Sequence, residues 1–220
     1  MVEQIQARSW LTQPTKPRIE TWIGVLDDTS SDPAMRAEAT RNLRRQGVEA
    51  STALPALIRT FHVPELREDA VAAVSVLGES SVEVLRQATY SGDYDIRMGA
   101  AMALGRFGAK AQHAIADLEY MLGDSKYVVR REALRAIRAI DPERMTGYVP
   151  LLLRVIQSEP VFYRRWEAVA LLGEVGPAGQ IALPILAEMQ QQWTDHHSGF
   201  DRLILKVRVK LDSSLESSRD

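Results

Sequence analysis

Five arginines recur along the chain at intervals of 30 to 35 residues, and their side chains could form a ladder of anion-binding groups. They are Arg36, Arg67, Arg97, Arg130 and Arg165. A guanidinium group holds its N–H donors in a planar fork that fits phosphates and carboxylates. The alternative, which we favour, is a structural column in which the arginines pair with aspartates in turns, such as Asp32, Asp93 or Asp124.

A glycine-rich stretch, RMGAAMALGRFG at residues 97–108, raises the question of a phosphate-binding loop. Such loops follow a strand and read GxxxxGK[ST] or GxGxxG. The chain contains neither pattern. We therefore expect Gly99 and Gly105 to lie inside a helix and Gly108 to cap that helix.

The remaining reactive residue types do not form a catalytic or metal-binding group in the sequence. There is no cysteine and no GxSxG motif, which removes the usual nucleophiles. The histidines are His62, His113 and the pair His196 and His197, and adjacent residues in a loop rarely supply a full ligand set. We expect no catalytic residue, no metal and no cofactor, and the chain is more simply read as a non-enzyme.

The arginine column belongs to a repeat of five segments that align without gaps. They are MRAEATRNLRRQG, LREDAVAAVSVLG, IRMGAAMALGRFG, VRREALRAIRAID and RRWEAVALLGEVG, which end at Gly47, Gly78, Gly108, Asp141 and Gly176. Each has an alanine eight residues before its end and an aliphatic residue four before it. This spacing places both columns on one face of a helix, and a terminal glycine suits the C-cap.

A shorter helix fits before each of these segments, so the unit is helix, turn, helix over about 30 to 35 residues. Stacking such units predicts an all-α fold, a right-handed α-solenoid of about five to six helical hairpins. We assign residues 17–211 to the solenoid, 1–16 to an N-terminal cap segment and 212–220 to a disordered tail. Residues 200–211 could form a helix or a strand, and we favour a capping helix.

The repeats resemble the HEAT-repeat family, in the short bacterial form that is also found in phycobilisome-lyase-type repeats. The resemblance rests on the arginine, the alanine and the motif DxxxRxxAxxALGxxG, which is present at residues 93–108 and in part at 159–176. It implies that the second helix of each hairpin lines a concave surface and that the arginine column is structural. Iron enzymes of this architecture use His-Glu pairs, and the chain has no His-Glu dipeptide.

Positions ten, six and three before each segment end share one face of the second helix, apart from the alanine and aliphatic columns. We expect this stripe to be the concave contact surface, with methionine and tryptophan as apolar anchors and arginines as partners for acidic groups. An ordinary solvated face is the alternative. The candidate contact residues are Arg41, Arg44, Met98, Met102, Arg131, Arg135, Arg138 and Trp166.

Three functions are compatible with this pattern. The leading one is a non-catalytic scaffold or adaptor that binds an acidic or amphipathic segment of another protein. The second, implied only by the phycobilisome-lyase resemblance, is a lyase subunit or chaperone for an open-chain tetrapyrrole. The third, implied by HEAT-like alkylpurine glycosylases, is DNA binding in a concave cleft.

The composition narrows the location and the partners. The chain has 220 residues, a formal net charge of -2 and no apolar run of the length that a membrane span needs. We expect a cytoplasmic protein without a membrane partner. The absence of a basic excess disfavours nucleic acid, and the oligomeric state is left open.

Overall fold

The computed structural model describes residues 19–192 and 198–213, and within these ranges the chain forms helices and no strand. The α-helices are α1 Ile19–Asp27, α2 Pro33–Gln46, α3 Leu54–Arg59, α4 Pro64–Val74, α5 Ser81–Ala88, α6 Tyr94–Phe107, α7 Ile115–Met121, α8 Tyr127–Ile140, α9 Met145–Ser158, α10 Phe162–Leu172, α11 Leu183–Gln192 and α12 Ser198–Ser213. Taken in pairs they are six hairpins, and each even-numbered helix packs on the next one along the stack. The predicted all-α solenoid is confirmed.

The ends of the second helices follow from their capping residues. Asp32 and Asp93 accept the backbone N–H two residues ahead at 2.7 and 2.8 Å, and so cap α2 and α6. At the other end, the predicted C-cap glycines have positive φ angles, which a residue with a Cβ adopts only at a cost. They are Gly47, Gly78, Gly108 and Gly176. The fourth repeat differs, because Asp141 has a φ of -145°.

The alanine and aliphatic columns form the interior of the stack, as the repeat predicts. Every alanine of the column is at most 3% exposed, and every aliphatic residue is fully buried. The alanines are Ala39, Ala70, Ala100, Ala133 and Ala168, and the aliphatic residues are Leu43, Val74, Leu104, Ile137 and Leu172. Small residues in this layer let neighbouring helices approach closely.

Two of the glycines in the 97–108 stretch are sites of close helix packing. A Cβ on Gly99 would lie 2.5 Å from ring atoms of Phe61, and a Cβ on Gly105 would lie 3.1 Å from the Cα of Ala136. Both glycines are inside α6, and Gly108 caps it with a φ of 55°. The stretch is therefore a packing surface and a cap, and a phosphate loop is ruled out.

The last described helix, α12, closes the stack. Its buried residues are Phe200, Ile204, Val207 and Leu211, which are spaced as one helical face. The segment 200–211 is thus the helix that we favoured, and it continues two residues into the predicted tail. The predicted cap at 1–16, the rest of the tail, and the pair His196 and His197 lie outside the described residues.

Candidate functional site

The arginine column lies at the start of the second helices and makes internal contacts. Arg67 pairs with Asp95 at 2.5 Å, and Arg97 pairs with Asp124 at 2.6 Å. Arg130 pairs with the buried Glu167. Each of these bonds joins one hairpin to the next. The guanidinium groups are thus engaged inside the stack.

The two outer members of the column bond to carbonyl oxygens. Arg36 donates to the carbonyl of Leu26 at 3.3 Å, and Arg165 donates to the carbonyl of Glu159. The expected partner Asp32 is used to cap its helix. The arginines thus close the turns of their own hairpins as well as the joints between hairpins.

Asp124 shows how strongly one of these joints is held. Burial raises the pKa of its carboxyl, but the hydrogen bonds from Arg97 and from the backbone N–H of Lys126 outweigh burial, and the pKa lies below its usual value. Its carboxylate is therefore charged at neutral pH. The same pair raises the pKa of the Arg97 guanidinium.

The predicted contact stripe is only partly exposed. Arg41, Arg44 and Trp166 are exposed, and Trp166 is 44% accessible. Met98 is 8% accessible and belongs to the core, so its predicted role as an exposed anchor is wrong. The physical reason is that α6 packs against helices on both sides, α4 and α8, and Met98 belongs to the core that they share.

A groove of 310 Å³ lies along α4, α6 and α8, and it brings together three of the predicted contact residues. Met102, Arg135 and Arg138 line it, with small residues between them. Glu68 and Arg106 pair at 3.0 Å at its rim. Glu68 is the one acidic residue of the predicted stripe, ten residues before Gly78, whereas Arg106 follows the stripe position Gly105 and was not a candidate.

The basic row of α8 is balanced by two glutamates. Arg131 and Arg135 pair with the buried Glu132 at 2.9 and 3.3 Å. Arg138 donates to the backbone carbonyl of Glu174 at 2.6 Å. Arg135 is the most accessible of the three, with 49% of its side chain exposed. The positive charge of the three arginines is therefore partly neutralised, and Arg135 is more accessible to a binding partner than Arg131 or Arg138.

The charges are segregated between the two layers of the stack. The second helices, α2 to α12 by even number, contain 17 arginine and lysine residues and nine aspartate and glutamate residues. The first helices, which are the odd-numbered ones from α1 to α11, contain three arginine and lysine residues and six aspartate and glutamate residues. A chain with a net charge of -2 thus has one basic layer. We call the exposed surface of the even-numbered helices the second-helix face.

A larger groove of 690 Å³ lies between the fourth and fifth hairpins, on the side of the arginine column. Leu152, Val155 and Tyr163 line it, beside the pair Arg130 and Glu167. Nothing in the described part of the chain shows what covers it. Within residues 19–192 and 198–213, no group of three or more histidine and acidic side chains is arranged to hold a metal ion.

The comparisons with known proteins agree with this architecture. The sequence matches the HEAT-repeat family over residues 62–138 and 82–173, which together span half of the chain, and the protein belongs to that family. No curated protein matches the sequence. None of the helices in the described ranges has the length and apolar character to cross a membrane.

Three solved structures illustrate the likeness. An engineered protein is 19% identical with a TM-score of 0.44, over 92% of this chain and 98% of its own. A designed armadillo repeat protein in complex with the peptide (KR)4 is 16% identical with a TM-score of 0.41, over 87% and 100%. The complex of CpcE and CpcF of phycocyanin lyase from Nostoc sp. PCC7120 is 20% identical with a TM-score of 0.32, over 96% and 99%. No function follows from likenesses of this degree.

Proposed function

We propose that the protein is a non-catalytic scaffold that binds an acidic segment of another protein along its second-helix face. The observation that carries the proposal is the segregation of charge: without the five column arginines, the second helices still contain 12 basic residues against nine acidic ones, whereas the first helices contain three against six. In α-solenoids the stacked repeats create an extended concave surface suited to binding. A basic surface of this kind attracts acidic partners and speeds their encounter.

The groove along α4, α6 and α8 supports the proposal with a mixed lining. Met102 and the small residues around it offer an apolar floor, while Arg106 and Arg135 stand at its sides. Methionine adapts its shape to different partner side chains. Trp166 adds an exposed aromatic residue on α10, in the next hairpin along the stack, and aromatic residues often anchor interfaces.

The test compares two double variants that remove equal charge from opposite layers. Arg44→Gln with Arg135→Gln acts on the second-helix face, and Arg59→Gln with Arg154→Gln acts on the first helices. Removing Arg135 leaves no buried carboxylate without a cation, because Glu132 still pairs with Arg131 and Glu174 still pairs with Lys210. We expect proteins captured from lysate by the wild type to be lost from the first variant and retained by the second. Equal capture by both variants would contradict the proposal.

Nucleic acid is the second candidate, because phosphates would be attracted by the same basic layer. Fluorescence anisotropy with a labelled DNA duplex at two salt concentrations tests it. A steep fall in affinity with salt, reduced in the Arg44→Gln and Arg135→Gln variant, would favour DNA over a protein segment. Visible absorbance of the purified protein tests the tetrapyrrole alternative in the same preparation.

A further inference from the structure

Glu174 is a point at which three hairpins of the stack meet. It follows α10, and one oxygen of its carboxylate, Oε2, lies 3.5 Å from Nε of Arg135 on α8 and 3.0 Å from Nζ of Lys210 on α12. Its backbone carbonyl accepts the hydrogen bond from Arg138 at 2.6 Å. A single residue thus supplies oxygens to three cations from two helices.

The turn that bears Glu174 is fixed by its neighbours. Gly176 ends this segment with a φ of 71°, and the side chain of Arg138 lies against it, 3.3 Å from the position of a Cβ. The backbone is therefore held, while the glutamate side chain reaches between α8 and α12.

Exposure and charge distinguish this cluster from an ordinary internal ion pair. The side chains of Arg135 and Lys210 are 49% and 47% exposed, whereas that of Glu174 is 16% exposed. The two cations thus present themselves to solvent above the carboxylate. With Arg131 and Arg138 the cluster contains four cations, against the two carboxylates of Glu132 and Glu174.

We infer that Arg135 and Lys210 form a subsite for a carboxylate of the bound segment, and that Glu174 occupies this subsite until the partner displaces it. The inference rests on the proposed function and names the place where an acidic side chain binds. Because both cations are about half exposed to solvent, their ion pairs with Glu174 are weak, and an incoming carboxylate can compete with it. Glu174 therefore competes with the bound segment and weakens its binding. Segments with several carboxylates are favoured, because their other acidic groups can bind elsewhere on the second-helix face.

The experiment uses a short fluorescein-labelled oligoglutamate peptide and the full chain, read by anisotropy. Glu174→Gln keeps the shape and the carbonyl acceptor but removes the charge, and we expect it to bind about two- to five-fold more tightly, the ratio that one exposed ion pair sets. The matched control is Glu68→Gln, which removes the same charge from an exposed residue of the same face. We expect a smaller gain from it. Lys210→Gln should abolish the gain from Glu174→Gln in a double-mutant cycle.

Several outcomes would overturn the inference. Weaker binding by the Glu174→Gln variant would mean that Glu174 positions the cations, and equal gains from both glutamine variants would mean a general effect of charge. If oligoglutamate binds in a manner that needs Arg44 and Arg135 but ignores Glu174, the subsite fails and the proposed function stands. If the wild type does not bind oligoglutamate at all, both fail.

Discussion

The packing of α6 leads to a prediction that separates two kinds of glycine. Gly99 lies against Phe61, and a Cβ there would be 2.5 Å from two ring atoms and 2.8 Å from the Cβ of that fully buried phenylalanine. Neither side can move away, because Phe61 is enclosed by the core. Gly99→Ala should therefore overpack the joint between the second and third hairpins.

The size of the effect follows from two opposing contributions. Overpacking of a tight core costs up to about 3 kcal/mol, and the better helix propensity of alanine returns about 1 kcal/mol. The net loss of about 2 kcal/mol corresponds to a fall in Tm of about 4 to 8 °C for a chain of this length. Gly147, also in a helix, has no atom within 4 Å of its Cβ position. Gly147→Ala should gain about 0.5 kcal/mol.

Thermal unfolding followed by circular dichroism at 222 nm measures both variants under one condition. The expected order of Tm is Gly147→Ala, wild type, Gly99→Ala. A Gly99→Ala variant that is as stable as the wild type, or more stable, would refute the close packing of α6.

Three further predictions concern single contacts. Asp124→Asn should lower the free energy of unfolding by about 2 to 3 kcal/mol at pH 7, because it leaves the mostly buried Arg97 without a charge partner. The pKa of Asp124 is lowered in the folded chain, so its contribution to stability is present above the ordinary pKa of 3.8 and is lost as the pH falls through the folded pKa. Urea unfolding measured over this pH range should show the loss of stability in the wild type and not in the variant. Burial and the hydrogen bond to Glu119 raise the pKa of Tyr148, so stability should decline as the pH rises above 10, and less so in Tyr148→Phe. Gly108→Ala should cost about 1 to 2 kcal/mol, because its φ of 55° crowds a Cβ, as thermal unfolding would show.

Each of these predictions has a control or a contrary result. Gly92→Ala should change stability by less than about 0.5 kcal/mol, because Gly92 has no positive φ and open space at its Cβ position. If Asp124→Asn loses stability at low pH in the same way as the wild type, the ion pair of Asp124 with Arg97 does not stabilise the contact between the two hairpins. Identical alkaline limbs for wild type and Tyr148→Phe would show that another group titrates there.

The repeat made much of the fold predictable. Residues spaced three and four apart identify the buried face of each second helix, and glycine at a fixed distance from the alanine identifies the cap, because both depend on local backbone geometry. The partners of the arginine column were harder to predict. Asp124 was a correct candidate, but Arg67 pairs with Asp95 and Arg130 with Glu167. Which acid is reached depends on the offset between hairpins, which local spacing does not encode.

The candidate site was less predictable than the fold for the same reason. Arg135, Arg138 and Met102 lie along one groove, as the stripe predicts. Lys210 could not be placed near them, because α12 lacks the alanine and glycine that define the repeat. Glu174 lies next to a cap and looks like a solvated turn residue, and its role becomes visible only when three hairpins are stacked.

The affinity of a captured partner for the two charge-matched double variants, measured at low and at physiological salt, decides whether the binding site lies on the second-helix face. We predict that Arg44→Gln with Arg135→Gln weakens binding about three- to thirty-fold at low salt, because two surface ion pairs with the partner are lost. At physiological salt the difference between this variant and the wild type should be smaller. Arg59→Gln with Arg154→Gln should bind as the wild type does. Equal affinities of both variants, or a greater loss from the first-helix variant, would contradict a binding site on the second-helix face.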